Sequence, residues 1–153
     1  MSWRRATFKR ILIPTDGSRI AEKAVKAGIR FAKEIGAGVV GYYAIEPVQA
    51  YYYGEGAMID GTLIAEFDRQ SKANGEKTLA AMATLAKARR VRFDSLCDKP
   101  DTAYDGIIAA ARRKKCDVIF MASHGRSGLA KLVVGSVTQR VLAHSKIPVV
   151  VYR

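Results

Sequence analysis

The sequence predicts an α/β fold: a single open, wound parallel sheet of five strands in the order 3-2-1-4-5, with helices on both faces. Three observations carry that expectation. Short β-prone apolar runs alternate with stretches of helical periodicity along the whole chain, the pattern of repeated strand, helix and strand units. Val118, Ile119, Phe120 and Met121 form an apolar run without a polar interruption, as expected of a strand covered on both faces. Small and turn-forming residues gather after the first and fourth runs, at Pro14-Thr15-Asp16-Gly17-Ser18 and from Ala122 to Ser127. In the order 3-2-1-4-5 those two strands are neighbours whose connections leave in opposite directions, and ligands bind at such a crevice.

The first strand is expected over residues 10–16, halted by Pro14. Ser18 is placed to cap the next helix, since its hydroxyl can accept from a first-turn amide. Ala21, Ala24, Val25, Gly28, Ala32 and Ile35 recur at helical spacing, and Gly36 suits a left-handed stop. A second strand over 39–45 ends at Glu46-Pro47. Residues 49–61, with Tyr51, Tyr52, Tyr53, Gly54 and Gly56, show no period; they suit a connecting loop, with a lid or partner surface as the alternative.

A long helix is expected over 62–90, with Ile64, Phe67, Ser71, Gly75, Leu79, Met82 and Ala86 tracing its inner face. Gly75 weakens its middle by about 1 kcal/mol relative to alanine. Residues 91–97 alternate as a half-exposed edge strand should. Asp98-Lys99-Pro100-Asp101 turns the chain, and Asp101 or Thr102 caps a helix in which Ile107, Ile108 and Ala111 face inward. The fourth strand, over 118–121, leads through the small-residue loop to a helix opening at Gly135 and Ser136. Its inner face is expected at Val137, Thr138, Val141 and Leu142. A terminal strand runs from Ile147 to Tyr152. No linker or repeat divides the chain, so residues 1–153 are expected to form one domain.

Composition bounds the rest. A chain of 153 residues can bury roughly two thirds of its unfolded surface, and 49% apolar with 26% charged residues is ordinary for a globular protein. No apolar run reaches the length of a membrane span, and the basic start MSWRRATFKR passes directly into ILIP without a signal-peptide core. A cytoplasmic location and no membrane partner are therefore expected. Cys97 and Cys116 have no partner at metal-ligand spacing and read as small core residues in a reducing compartment. The formal charge of +12 concentrates at Arg4-Arg5, Arg89-Arg90 and Arg112 to Lys115. Two of these clusters fall at expected helix C-termini, where the helix dipole favours cations, and no nucleic-acid motif accompanies them. Nucleic acid is not an expected partner.

Neither G-x-x-x-x-G-K-[ST] nor G-x-G-x-x-G is present. The anion site is expected instead where the loop from Ser123 to Ser127 faces the first turn at Gly135, Ser136 and Val137, whose unpaired amides point out of the helix. Arg126 and Lys131 could make charge-assisted contacts with a phosphate, or be solvated loop charges. His124 suits a local structural hydrogen bond, with donation to phosphate as the alternative. A Ser123 and His124 nucleophile-base pair is not expected, because adjacent side chains rarely aim at each other and no third member is evident. His144 reads as a surface residue near a helix end. Asp16 suits contact with a ribose or metal, or a cap at the first helix.

ILIPTDGS near the start, and MASHGRSGLAKLVVGSVTQRVL with IPVVVYR near the end, resemble the universal stress proteins, and the likeness in element order spans the chain. The nucleotide motif of the ATP-binding members, G-x-x-G-x9-G-[ST], lies over Ala122, Gly125, Gly135 and Ser136, with its spacing kept and alanine in place of the first glycine. The resemblance implies a fold like that of the adenine nucleotide alpha hydrolases and a homodimer formed through the last strand. It also implies bound ATP, or AMP or ADP in its place, with Mg or Mn beside the phosphates. Position by position, it puts Pro14, Thr15, Asp16 and the Ala44 backbone beside adenine and ribose, and Met121 and Ala122 near the ribose. Ser123, His124, Gly125, Arg126 and Ser127 would surround the phosphates together with Gly135, Ser136 and Val137. The implied role is a nucleotide-dependent stress-response regulator acting on an unidentified protein partner. No general base for an attacking water is evident, so at most weak ATPase activity is expected. A nucleotide-free interaction module is the alternative.

Overall fold

Nine elements alternate along a computed structural model that describes residues 7–47, 61–125 and 134–153. They are β1 (Arg10–Pro14), α1 (Arg19–Ile35), β2 (Gly38–Ala44), α2 (Gly61–Ala88), β3 (Phe93–Asp98), α3 (Ala103–Arg113), β4 (Val118–Ala122), α4 (Ser136–His144) and β5 (Val149–Tyr152). The strands form one sheet in the order β3-β2-β1-β4-β5, and every neighbouring pair is parallel. This is the expected α/β architecture, with the half-exposed run at one edge.

Because successive strand side chains point to opposite faces, apolar residues in sequence feed two cores. Ile11, Ile13, Val39, Tyr43, Val118 and Phe120 pack with Val25, Ile29, Leu79 and Met82 of α1 and α2. Leu12, Val40, Tyr42, Ile119 and Met121 pack with Ile107, Ala110, Ala111 and Val141 of α3 and α4 on the other face.

The caps follow the local chemistry. Ser18 Oγ accepts from the Ala21 amide at 3.2 Å, and Gly36 closes α1 at φ 73°. Of the two candidates for α3, Thr102 is the cap, accepting from the Asp105 amide. Arg112 and Arg113 occupy the last turn of α3, as the charge pattern implied. Arg113 pairs with Asp98 and Lys114 with Asp94, so that cluster is partly neutralised. Arg4 and Arg5 lie outside the described residues.

Several expectations need correction. Phe67 is 52% exposed and Leu142 is 47% exposed, so neither belongs to the inner face assigned to it. Leu142 is one residue past the buried Val141, and a step of about 100° around the helix carries it out of the core. Gly75 does more than weaken α2: a Cβ there would lie 2.7 Å from Tyr43 Cδ1 and 3.0 Å from Cys97 Sγ. The glycine lets α2 approach the sheet. Cys116 is buried, whereas Cys97 is only half-buried on the edge strand. Gly61 opens α2, and the three tyrosines of the preceding stretch lie outside the described residues. Among the described residues, no helix is long and apolar enough to cross a membrane.

Candidate functional site

The two central strands part at their carboxyl ends. β1 and β4 pair only through Ile11↔Val118 and Leu12↔Ile119, whereas β1 stays with β2 through Pro14↔Tyr42 and β4 stays with β5 through Ala122↔Tyr152. Pro14 has no amide hydrogen with which to continue a ladder. A crevice therefore opens between the ends of β1 and β4, with α1 leaving on one face and α4 on the other. It is the switch point of the sheet.

The β1 side of the crevice is held by short-range bonds. The Thr15 amide donates to Tyr42 O at 2.9 Å, and the buried Thr15 hydroxyl accepts from the Gly17 amide at 3.1 Å. Asp16 Oδ1 accepts from the Ser18 amide at 2.9 Å while Gly17 turns the chain at φ 77°. That arrangement aims the other Asp16 oxygen across the crevice. A Cβ on Gly125 would lie 2.6 Å from Asp16 Oδ2, so the two loops meet closely and a larger residue would have to displace the carboxylate.

The β4 side is tied to the start of α4. The Ser123 amide donates to Tyr152 O at 2.8 Å, and the Ser123 carbonyl accepts from the Gly135 amide at 2.7 Å. Buried Thr138 donates its hydroxyl to Ala122 O at 3.0 Å. A Cβ on Gly135 would lie 3.0 Å from His124 Cα. Gly135 is at φ −61°, so its glycine is required by closeness and not by a left-handed backbone. Ala122 lies in β4 and is not among the positive-φ residues, so alanine costs no backbone strain there.

These bonds revise the expected cradle. The Gly135 amide is already committed to Ser123 and is not available to an anion. The amides of Ser136, Val137 and Thr138 precede the first intrahelical bond, from Gln139 N to Gly135 O, and Gly135 supplies no side-chain cap. They are the orphan donors of the helix start. The Ser123 and His124 pair differs from expectation in one respect. Ser123 Oγ and His124 Nδ1 are 2.8 Å apart, so these adjacent side chains do meet. The contact is the local hydrogen bond expected of His124, and among the described residues no carboxylate completes a triad. When Ser123 donates, the imidazole proton sits on Nε2 and that nitrogen is left as a donor.

Around this centre, Met121 and Ala122 are buried at the end of β4, and Pro14 and Ala44 are half-buried at the ends of β1 and β2. Arg126, Ser127 and Lys131 lie outside the described residues. His144 is exposed beside Tyr104, its Nδ1 2.8 Å from Arg140 O, as expected of a surface position.

A divalent cation would find few protein ligands here. Among the described residues no group of three or more His, Cys, Asp or Glu side chains could hold a metal. Asp16 is the carboxylate at the crevice, which fits an ion held mainly by phosphate oxygens and water, as magnesium commonly is. Burial pushes the Cys116 thiol up to about 11 and the Cys97 thiol above its ordinary value, so neither is an activated nucleophile.

Sequence reasoning missed one polar cluster. Tyr42 donates its hydroxyl to Asp98 Oδ1 at 2.7 Å, and Arg113 donates to Asp98 Oδ2 at 2.6 Å. Burial, then the hydrogen bond to Asp98, raises the Tyr42 phenol far above its ordinary value and keeps it a neutral donor. Two hollows lie elsewhere: about 240 Å³ beside Lys23, Arg30 and Arg89, and about 420 Å³ between α2 and β3. Neither is lined by Asp16, Ser123, Gly125 or Gly135. The crevice is the better candidate because strand ends, glycines and orphan amides converge on it.

The model of the universal stress protein family matches residues 7–153. The chain belongs to that family. A universal stress protein of Methanocaldococcus jannaschii is 32% identical over 146 residues, covering 95% of this chain and 82% of the relative. Among solved structures, the hypothetical protein MJ0577 matches with a TM-score of 0.80 at 23% identity, over 94% of each chain. A universal stress protein solved in complex with cAMP matches with a TM-score of 0.68 at 21% identity, over 95% of this chain and 97% of that one. Universal stress proteins thus share this fold at low sequence identity.

Proposed function

We propose that this universal stress protein binds an adenine nucleotide, ATP or in its place AMP or ADP, at the β1/β4 crevice and acts as a nucleotide-dependent regulator of a stress response. The observation that carries the reading is the meeting of Asp16 and Gly125 beside the uncapped start of α4. It puts a carboxylate suited to a ribose or a metal next to amides suited to phosphate. The cAMP held by a structural neighbour supports an adenine-bearing ligand.

In this reading Pro14, Thr15, Asp16 and Ala44 line the adenosine end, with Met121 and Ala122 beneath the ribose. Ser123, His124, Gly125, Arg126 and Ser127 surround the phosphates with Ser136 and Val137, while Gly135 holds the helix start against Ser123. Mg or Mn, held mainly by the phosphates, would neutralise their charge. No side chain at the described crevice is set to deprotonate a water, so hydrolysis is slow or absent. The 153 residues act as one cytoplasmic domain, paired with a second copy through β5.

Isothermal titration with ATP and magnesium tests the central claim, together with mass spectrometry of ligand carried through purification. Saturable binding of one nucleotide per chain is expected. Absence of both heat and carried ligand overturns it and favours the nucleotide-free interaction module.

A further inference from the structure

β3 is an outer strand of the sheet, and its exposed edge is partly occupied by its own side chain. The Val39 amide donates to Arg92 O and the Ile45 amide to Asp98 O. In a parallel ladder this alternation turns the even-numbered residues of β3 inward to β2, and the amides and carbonyls of Phe93, Ser95 and Cys97 outward. The middle donor of that outward row is not bare: the Ser95 amide donates to Asp94 Oδ1 at 2.8 Å. The same carboxylate is held from the other side, with Lys114 Nζ 2.8 Å from Asp94 Oδ2. Lys114 follows the last turn of α3, so the clamp joins the edge strand to a packed helix.

We propose that Asp94, held by Lys114, closes the β3 edge against strand pairing with a second copy of this chain. The position suits that task. If two β3 strands met antiparallel about a two-fold axis at Ser95, each Ser95 would exchange both its amide and its carbonyl bond with its counterpart. The amide that Asp94 occupies is the one such a pair needs first. Such a pair of strands would also bring the two Asp94 carboxylates together near the axis.

The opposite edge has no such device. The Ile119 amide donates to Pro148 O and the Ser123 amide to Tyr152 O, so Val149 and Val151 turn their backbone groups outward from β5. Among the described residues, no side chain accepts from either amide. One edge is blocked at its middle donor and the other is a row of valines, which favours strand pairing at β5 over pairing at β3. The inference is independent of nucleotide binding and of whether β5 pairs.

The test is sedimentation of three proteins over a range of concentration: the natural chain, Asp94→Ala, and Asp94→Ala combined with Ser95→Pro. Proline at an outward-facing edge position removes the donor without breaking the ladder to β2. The expected result is a concentration-dependent rise in mass for Asp94→Ala, a doubling where the natural chain is a monomer and growth into open chains where it already pairs through β5, and its reversal by Ser95→Pro. An unchanged mass for Asp94→Ala overturns the proposal. So does association that Ser95→Pro leaves in place, since that would arise from misfolding or another surface.

Discussion

Gly125 is the point at which the two halves of the crevice touch, and its missing side chain makes the contact with Asp16 possible. Gly125→Glu would place both bulk and a second negative charge against Asp16 Oδ2, in the space proposed for phosphate. Nucleotide affinity is expected to fall at least about tenfold, which corresponds to roughly 1.4 kcal/mol, with the far-UV circular dichroism unchanged. Gly135→Glu should act similarly by pressing on His124, and its Cβ contacts backbone as well as side chain. Calorimetric titration of the two variants decides the matter, and natural affinity in both would place the ligand elsewhere. Both glycines were legible as members of a spaced motif. The commitment of the Gly135 amide to Ser123 was not, because a hydrogen bond between residues 12 apart depends on how the loop between them returns.

At the scale of elements, α2 shows how a local rule and a packing requirement compete. Glycine inside a helix costs about 1 kcal/mol relative to alanine, so propensity alone makes Gly75→Ala stabilising. The structure opposes that, since the new Cβ would stand 2.7 Å from the buried ring of Tyr43. Overpacking of this kind costs about 1–3 kcal/mol. A net loss of up to about 2 kcal/mol is expected, read as a lower midpoint in urea denaturation; a raised midpoint would show that the ring moves aside freely. The same element shows why sequence periodicity misassigned Phe67. Leu79, Met82 and Ala86 are buried against β2 and β3, but the first turns of α2 extend past the region where the sheet covers them. Period identifies a face, while the length of that face in contact depends on what lies opposite.

For the whole molecule, the two sheet edges differ in what they offer a partner. β5 presents half-buried valines whose outward amides are unbonded among the described residues, and pairing with a second β5 would bury them. A dimer by sedimentation at micromolar concentration is therefore expected, converted to monomer by Val151→Pro, which removes an outward donor. A natural chain that sediments as a monomer would count against pairing through β5.

Much of this protein is determined by residue order alone: the alternation of elements, the strand buried on both faces, the caps at Ser18 and Gly36, and the loops that meet at the switch point. Those features depend on short-range stereochemistry and on apolar periodicity, which a linear text records directly. Tertiary structure alone decided that β1 and β4 separate after Leu12 and Ile119, that Asp16 stands against Gly125, that Ser123 bonds His124, and that Asp94 occupies its own strand's edge. The first two depend on distances between segments that only the completed sheet brings together; the last two join neighbours in sequence, whose rotamers and backbone geometry no residue's type fixes by itself.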